Sequence, residues 1–133
     1  MSLDYIMIGT RDLAASRAFY DAVFPCCGGE LEVEYEGYGF CYVFRNKTRA
    51  WIAPPNNKEA PEPGNGNMPG FRCADTDEVD AAYAAALAHG GSDEGPPGPR
   101  PLYGPNFYGA YVRDPAGNKM SFIHDLAVSG DNT

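Results

Sequence analysis

Histidine is nearly missing from this chain, with two residues in 133, at 89 and 124. Basic residues are few as well: ten Lys and Arg stand against eighteen Asp and Glu, giving a net charge of −8 and a pI near 4.5. Binding to nucleic acid or anionic lipid rests on Lys and Arg neutralising phosphates, so this balance argues against both partners. No run of eighteen apolar residues occurs, which leaves no candidate for a membrane-spanning helix. The opening stretch, MSLDYIMIGTRDL, has an early acid and no basic cluster; it reads as a strand, not as a signal peptide. The four cysteines, at 26, 27, 41 and 73, include no C-x-x-C pair. A disulfide between the neighbours Cys26 and Cys27 would be strained, so free thiols in a cytoplasmic protein are the expectation.

What the chain does have is apolar and aromatic material: 44% and 13%, with nine Tyr and seven Phe. That is a globular composition, and the length suits one domain with a core of its own. Two stretches punctuate it. PPNNKEAPEPGNGN (54–67) is dense in Pro, Asn and Gly and reads as a linker, assigned to 54–66, between two halves. GGSDEGPPGPRPLYGPN (90–106) is a second such stretch, expected as a functional loop that closes over a ligand.

Between these marks a plan repeats. YIMIGT (5–10) is a short apolar strand. Asp12 then offers an N-cap carboxylate, with Leu13, Tyr20, Val23 and Phe24 at helical spacing up to Pro25. ELEVEYEGYGFCYVF (30–44) gives two strands around Gly37, and RAWIA (49–53) another. In the second half MPGFRCA (68–74) is a strand, and Asp75 with Glu78 opens a helix as a capping box. Val79, Ala82, Tyr83, Ala86 and Leu87 form its apolar stripe up to Gly90, and three more short strands follow. Asp12 recurs as Asp75 and Tyr20 as Tyr83, both 63 residues on; further along, Tyr42-Val43 is matched with Tyr111-Val112. The expected fold is α+β: two β-α-β-β-β modules, about 3–53 and 67–125, with a flexible tail over 126–133. Neither module buries both faces of its sheet alone, so they must pair, within a chain or between chains.

Three patterns, IGTRDLAASRAFYDAVF (8–24), FRCADTDEVDAAYAAALAHGG (71–91) and NFYGAYVRDPAGNKMSF (106–122), together resemble the vicinal oxygen chelate superfamily of glyoxalases, extradiol dioxygenases and bleomycin-resistance proteins. The resemblance covers nearly the whole chain. It implies sheets curled into a half-barrel around a cavity, helices outside, and a homodimer that covers the module edges. It also implies where metal-dependent members hold their ion: on the first, fourth, fifth and last strands. Those positions carry Tyr5, Trp51, Met68 and Ser121 here. A phenol, an indole, a thioether and a hydroxyl are poor ligands for a divalent ion that prefers imidazole, carboxylate or thiolate. His89 sits at a helix end, where an imidazole complements the dipole. His124 lies three residues past Ser121, on the opposite strand face.

No metal or other cofactor is therefore expected, and the implied cavity becomes an apolar, ring-lined one. Alternation adds Met7 beside Tyr5 and Arg72 beside Met68; Arg72 either reaches solvent or turns in to bind a carboxylate or phosphate. Arg100 and Tyr103 lie in the long loop, while Tyr108 and Tyr111 follow it; all four are read both as packing groups and as ligand contacts. The leading expectation is a metal-independent binding protein for an aromatic or cationic small molecule. The alternatives are a divalent-metal-dependent glyoxalase-like lyase, isomerase or dioxygenase, a metal-free enzyme using Tyr5 as acid or base, and a non-catalytic partner subunit.

Overall fold

In a computed structural model, residues 3–126 are described. The elements run in order: β1 (Tyr5–Gly9), α1 (Leu13–Val23), a short 3-10 turn (Phe24–Cys27), β2 (Glu30–Tyr35), β3 (Gly39–Val43) and β4 (Arg49–Ala53). The second half follows with β5 (Gly70–Arg72), α2 (Thr76–Ala88), β6 (Ser92–Pro99), a 3-10 turn (Pro101–Tyr103), β7 (Phe107–Arg113) and β8 (Lys119–Asp125). The architecture is α+β: two mixed sheets of four strands, ordered β1-β4-β3-β2 and β5-β8-β7-β6, which do not close into a barrel. In each sheet the strand before the helix pairs in parallel with the module's last strand. The tail expected over 126–133 lies outside the described residues apart from Leu126.

Local chemistry explains both helices. Asp12 caps α1 by accepting from Ala15 N at 3.0 Å, and Asp75 caps α2 by accepting from Glu78 N at 2.9 Å. Glu78 reaches back to the backbone N–H of Ala74, one residue before the cap. His89 ends α2, its Nδ1 2.9 Å from the Ala85 carbonyl. The buried face of α1 is Ser16, Phe19, Tyr20 and Val23, and that of α2 is Val79, Ala82 and Ala86.

These faces share one core with the inner sides of both sheets. Phe24 joins the modules directly, its ring 4.9 Å from that of Phe71. The halves therefore pack within the chain.

Two sequence expectations change. The stretch 90–106 contains an edge strand, β6, with two register shifts. Pro96, Pro97 and Pro99 are tolerated there because β6 lies at the outside of its sheet. The match of Tyr42 with Tyr111 is one residue out. Cys41 faces Trp51 and Tyr111 faces Ser121, so Cys41 corresponds to Tyr111 and the buried Tyr42 to Val112. The shared Tyr-Val pair misleads because a slip of one residue moves a side chain to the other face.

The corrected match aligns the two β-turns that precede β4 and β8. Phe44 N donates to Thr48 O as Asp114 N donates to Asn118 O, and left-handed φ values fall at Lys47 (75°) and Gly117 (94°). Only the second turn has the residue suited to that conformation. Lys47→Gly is expected to raise stability by about 0.5 kcal/mol, read as a higher urea midpoint at unchanged slope.

Candidate functional site

The first sheet turns one face to the helices and leaves the other open. Tyr5 (59% exposed), Met7 (60%) and Tyr35 (57%) lie on the open face, where Trp51 stacks on Tyr35 with ring centroids 6.2 Å apart. Tyr5 is paired with Arg49 and Met7 with Trp51, so the row across the sheet runs Met7, Trp51, Cys41, Val33. Arg49 is held by both oxygens of Glu32, which lowers the pKa of that carboxyl. Burial, and then the charge of Glu32, pushes the Cys41 thiol up to about 11, so it stays protonated.

The second sheet carries the equivalent row Gly70, Ser121, Tyr111. Ser121 is buried, and Tyr111 lies under the Arg100 guanidinium at 5.4 Å. Arg100 is folded back on its own segment, donating to the carbonyls of Pro96, Gly98 and Pro99. Tyr103 is exposed and packs edge-on against Phe107. Tyr108 points the other way, donating to Asp80 of α2 at 2.6 Å. Met68 is exposed just ahead of β5.

The donor set at the implied metal positions does not fit a divalent ion. Whichever of Tyr5 and Met7 is taken on the first strand, the partners remain an indole, a thioether or glycine, and a hydroxyl. Among the described residues no group of three or more His, Cys, Asp or Glu is placed to hold a metal.

A cavity of about 660 Å³ lies where the two modules meet. Its apolar wall includes Ile6, Cys27, Phe44, Phe71, Cys73 and Ile123. Polar side chains come from Arg45 and Arg49 on and beside the turn before β4, from Arg72 on β5 and from His124 on β8. Arg45 spans the modules, bound through both carboxylate oxygens of Glu78 at 3.2 and 2.7 Å; those bonds raise the pKa of the guanidinium. His124 sits with Nδ1 3.2 Å from the Cys73 carbonyl. Cys27 Sγ donates to the Phe24 carbonyl at 3.5 Å and Cys73 Sγ to the Phe71 carbonyl at 4.0 Å, and the neighbouring Cys73 thiol, followed by burial, holds the Cys27 thiol well above its ordinary pKa.

Of the ten residues expected at the site, only Arg72 is on this wall. His124, read as facing away from the expected hollow, does so and thereby lines the cavity, as do Arg45 and Cys27. Strand alternation was a sufficient signal for His124. No local pattern marks Arg45 or Cys27, because the packing of one module on the other brings them there.

A model of the Glyoxalase/Bleomycin resistance protein/Dioxygenase superfamily matches residues 2–122. Among solved structures, a glyoxalase/bleomycin resistance protein from Albidiferax ferrireducens T118 is 34% identical, covering 92% of this chain and 97% of that one, with a TM-score of 0.83. A glyoxalase-related enzyme from Fulvimarina pelagi is 20% identical over 99% and 95% of the two chains, with a TM-score of 0.77. A lactoylglutathione lyase from Agrobacterium tumefaciens is 23% identical over 92% of each, with a TM-score of 0.65. The last two likenesses show the fold alone. No curated protein matches the chain.

Proposed function

The chain belongs to the glyoxalase/bleomycin resistance protein/dioxygenase superfamily, and within it we propose a small-molecule-binding protein that works without a divalent metal and holds its ligand in the cavity between its modules. The observation that carries this reading is the cavity itself. Its volume lies within the range of small-molecule sites, and an apolar wall with a few convergent polar groups is the usual composition of such sites. The poor donor set at the implied metal positions supports the metal-free part. Catalysis by Tyr5 draws no support from its surroundings, since the phenol stands on an open sheet face with no barrier to water.

The same reading places the protein in a reducing cytoplasm, in keeping with four free cysteines. It includes a homodimer, in keeping with the exposed Tyr5, Met7 and Tyr35 on one sheet face.

Titration with Nile red, a neutral dye that brightens in apolar sites, tests the cavity. Saturable one-site binding is expected, and Ile123→Trp, which fills the cavity from a half-buried strand position, should weaken it at least tenfold. Ala74→Trp, at an exposed lining position, gives a second block that spares the core. Equal binding by the parent and both variants would place the dye elsewhere and defeat the reading.

A further inference from the structure

Three of the chain's seven arginines, Arg45, Arg49 and Arg72, line the inter-module cavity together with His124, and among the described residues no acidic one does. On a protein of net charge −8 this gathers cationic side chains in one place, Arg45 and Arg49 each paired with a carboxylate that is not on the wall. We propose, resting on the reading of this cavity as a ligand site, that its ligand is an organic anion: a flat apolar body bearing a carboxylate or phosphate group. The aromatic or cationic ligand anticipated from composition keeps its ring and loses its positive charge.

The chemistry of the wall matches the two parts of such a molecule. Phe44, Phe71 and Ile123 offer the apolar surface, and arginine forks match planar oxyanions. The existing ion pairs leave room for this. A bidentate carboxylate uses two of the five N–H donors of an arginine, so Arg45 on Glu78 and Arg49 on Glu32 each keep donors for a further partner. Those pairs also fix the guanidinium planes in advance, which lowers the entropy cost of binding. His124, oriented through Nδ1 at the Cys73 carbonyl, adds an imidazole to this wall.

The internal repeat shows why space remains here. The matching seam involves Gly9 and the turn Asp114–Asn118, counterparts of Arg72 and the turn Phe44–Thr48. There the segment between β4 and β5 packs down. Pro61 and Pro63 come within 3.2 Å of where a Cβ on Gly9 and on Gly117 would stand, and Arg11 donates to the Pro61 carbonyl at 3.3 Å. Asn118 Nδ2 closes that seam on the Gly9 carbonyl at 2.8 Å. One seam is filled by prolines and bonded to their backbone oxygen. The other has the same build, larger cationic side chains and a cavity.

The test compares three probes of one shape and different charge: 2-naphthoate, 2-naphthamide and 2-naphthylmethylammonium, each displacing Nile red from the full chain. Naphthoate is expected to bind at least tenfold tighter than the amide, and the ammonium weakest. The naphthoate advantage should shrink between 0.05 and 0.5 M salt, as screening shortens. It should fall at least fivefold in Arg72→Gln and persist in Arg113→Gln, whose guanidinium pairs with Glu94 outside the cavity. An amide as tight as naphthoate, or an ammonium that binds best, overturns the charge assignment and leaves the cavity reading in place. No displacement by any probe, with Nile red indifferent to Ile123→Trp, removes both.

Discussion

Asp114→Ala is expected to cost about 3–5 kcal/mol of stability, because it removes the shared acceptor of several hydrogen bonds to a charged group, each worth about 1.5–3 kcal/mol. The carboxylate is buried and accepts from the Ala116 and Asn118 backbone, from Asn118 Nδ2, and from the Tyr20 hydroxyl at 2.6 Å. Alanine leaves the Tyr20 hydroxyl buried without its acceptor and loosens Asn118, the side chain that ties the last turn to the first strand. Both modules therefore lose an anchor at once. Urea unfolding should show a much lower midpoint, and a loss under 1 kcal/mol would contradict the assignment. Tyr20→Phe should cost less, about 1.5–3 kcal/mol, because the carboxylate keeps its other donors.

The pair also sets an alkaline limit. Burial first, and Asp114 second, raise the Tyr20 pKa well above its ordinary 10.0. The folded state thus holds the phenol protonated where the unfolded state would release the proton. Its stabilising contribution is complete below about pH 10 and is lost as the pH climbs from there toward the folded-state value.

Phe71→Ala is the second large effect, at about 3–4 kcal/mol for an aromatic ring removed from a core. Phe71 packs against Phe24 (4.9 Å), Phe44 (5.3 Å) and Phe122 (6.0 Å), so its ring touches both modules. It also lines the cavity, and losing it widens the site on its apolar side. Naphthoate affinity should fall about tenfold, measured under conditions where circular dichroism confirms that the variant is folded. Destabilisation with unchanged naphthoate affinity would separate the ring from the ligand site.

Much of the architecture was legible in one dimension, for reasons seen in particular residues. Asp12 and Asp75 announce helix starts because a cap carboxylate acts on an N–H three residues away. Alternation in ELEVEYEGYGFCYVF marks two strands because the pleat has a period of two. The stretch 90–106 was misjudged as a loop, since proline and glycine usually break strands and only an edge position tolerates so many. At the site, Tyr5, Trp51 and Ser121, chosen by strand position, lie on β1, β4 and β8, whereas Met68 stands ahead of β5. Tyr108, read both as a packing group and as a ligand contact, donates to Asp80 of α2.

What the amino-acid order determined by itself is the local and periodic content: two repeats, helix starts, strand faces, and the absence of good metal donors at the implied positions. Where the cavity lies, and the sign of charge on its wall, was decided only by packing one module against the other. That docking joins Arg45 to Glu78 and brings Cys27 and Phe24 against Cys73 and Phe71. Such contacts link residues 33 to 47 positions apart and leave no periodic trace, because they arise from the shape and burial of two finished surfaces.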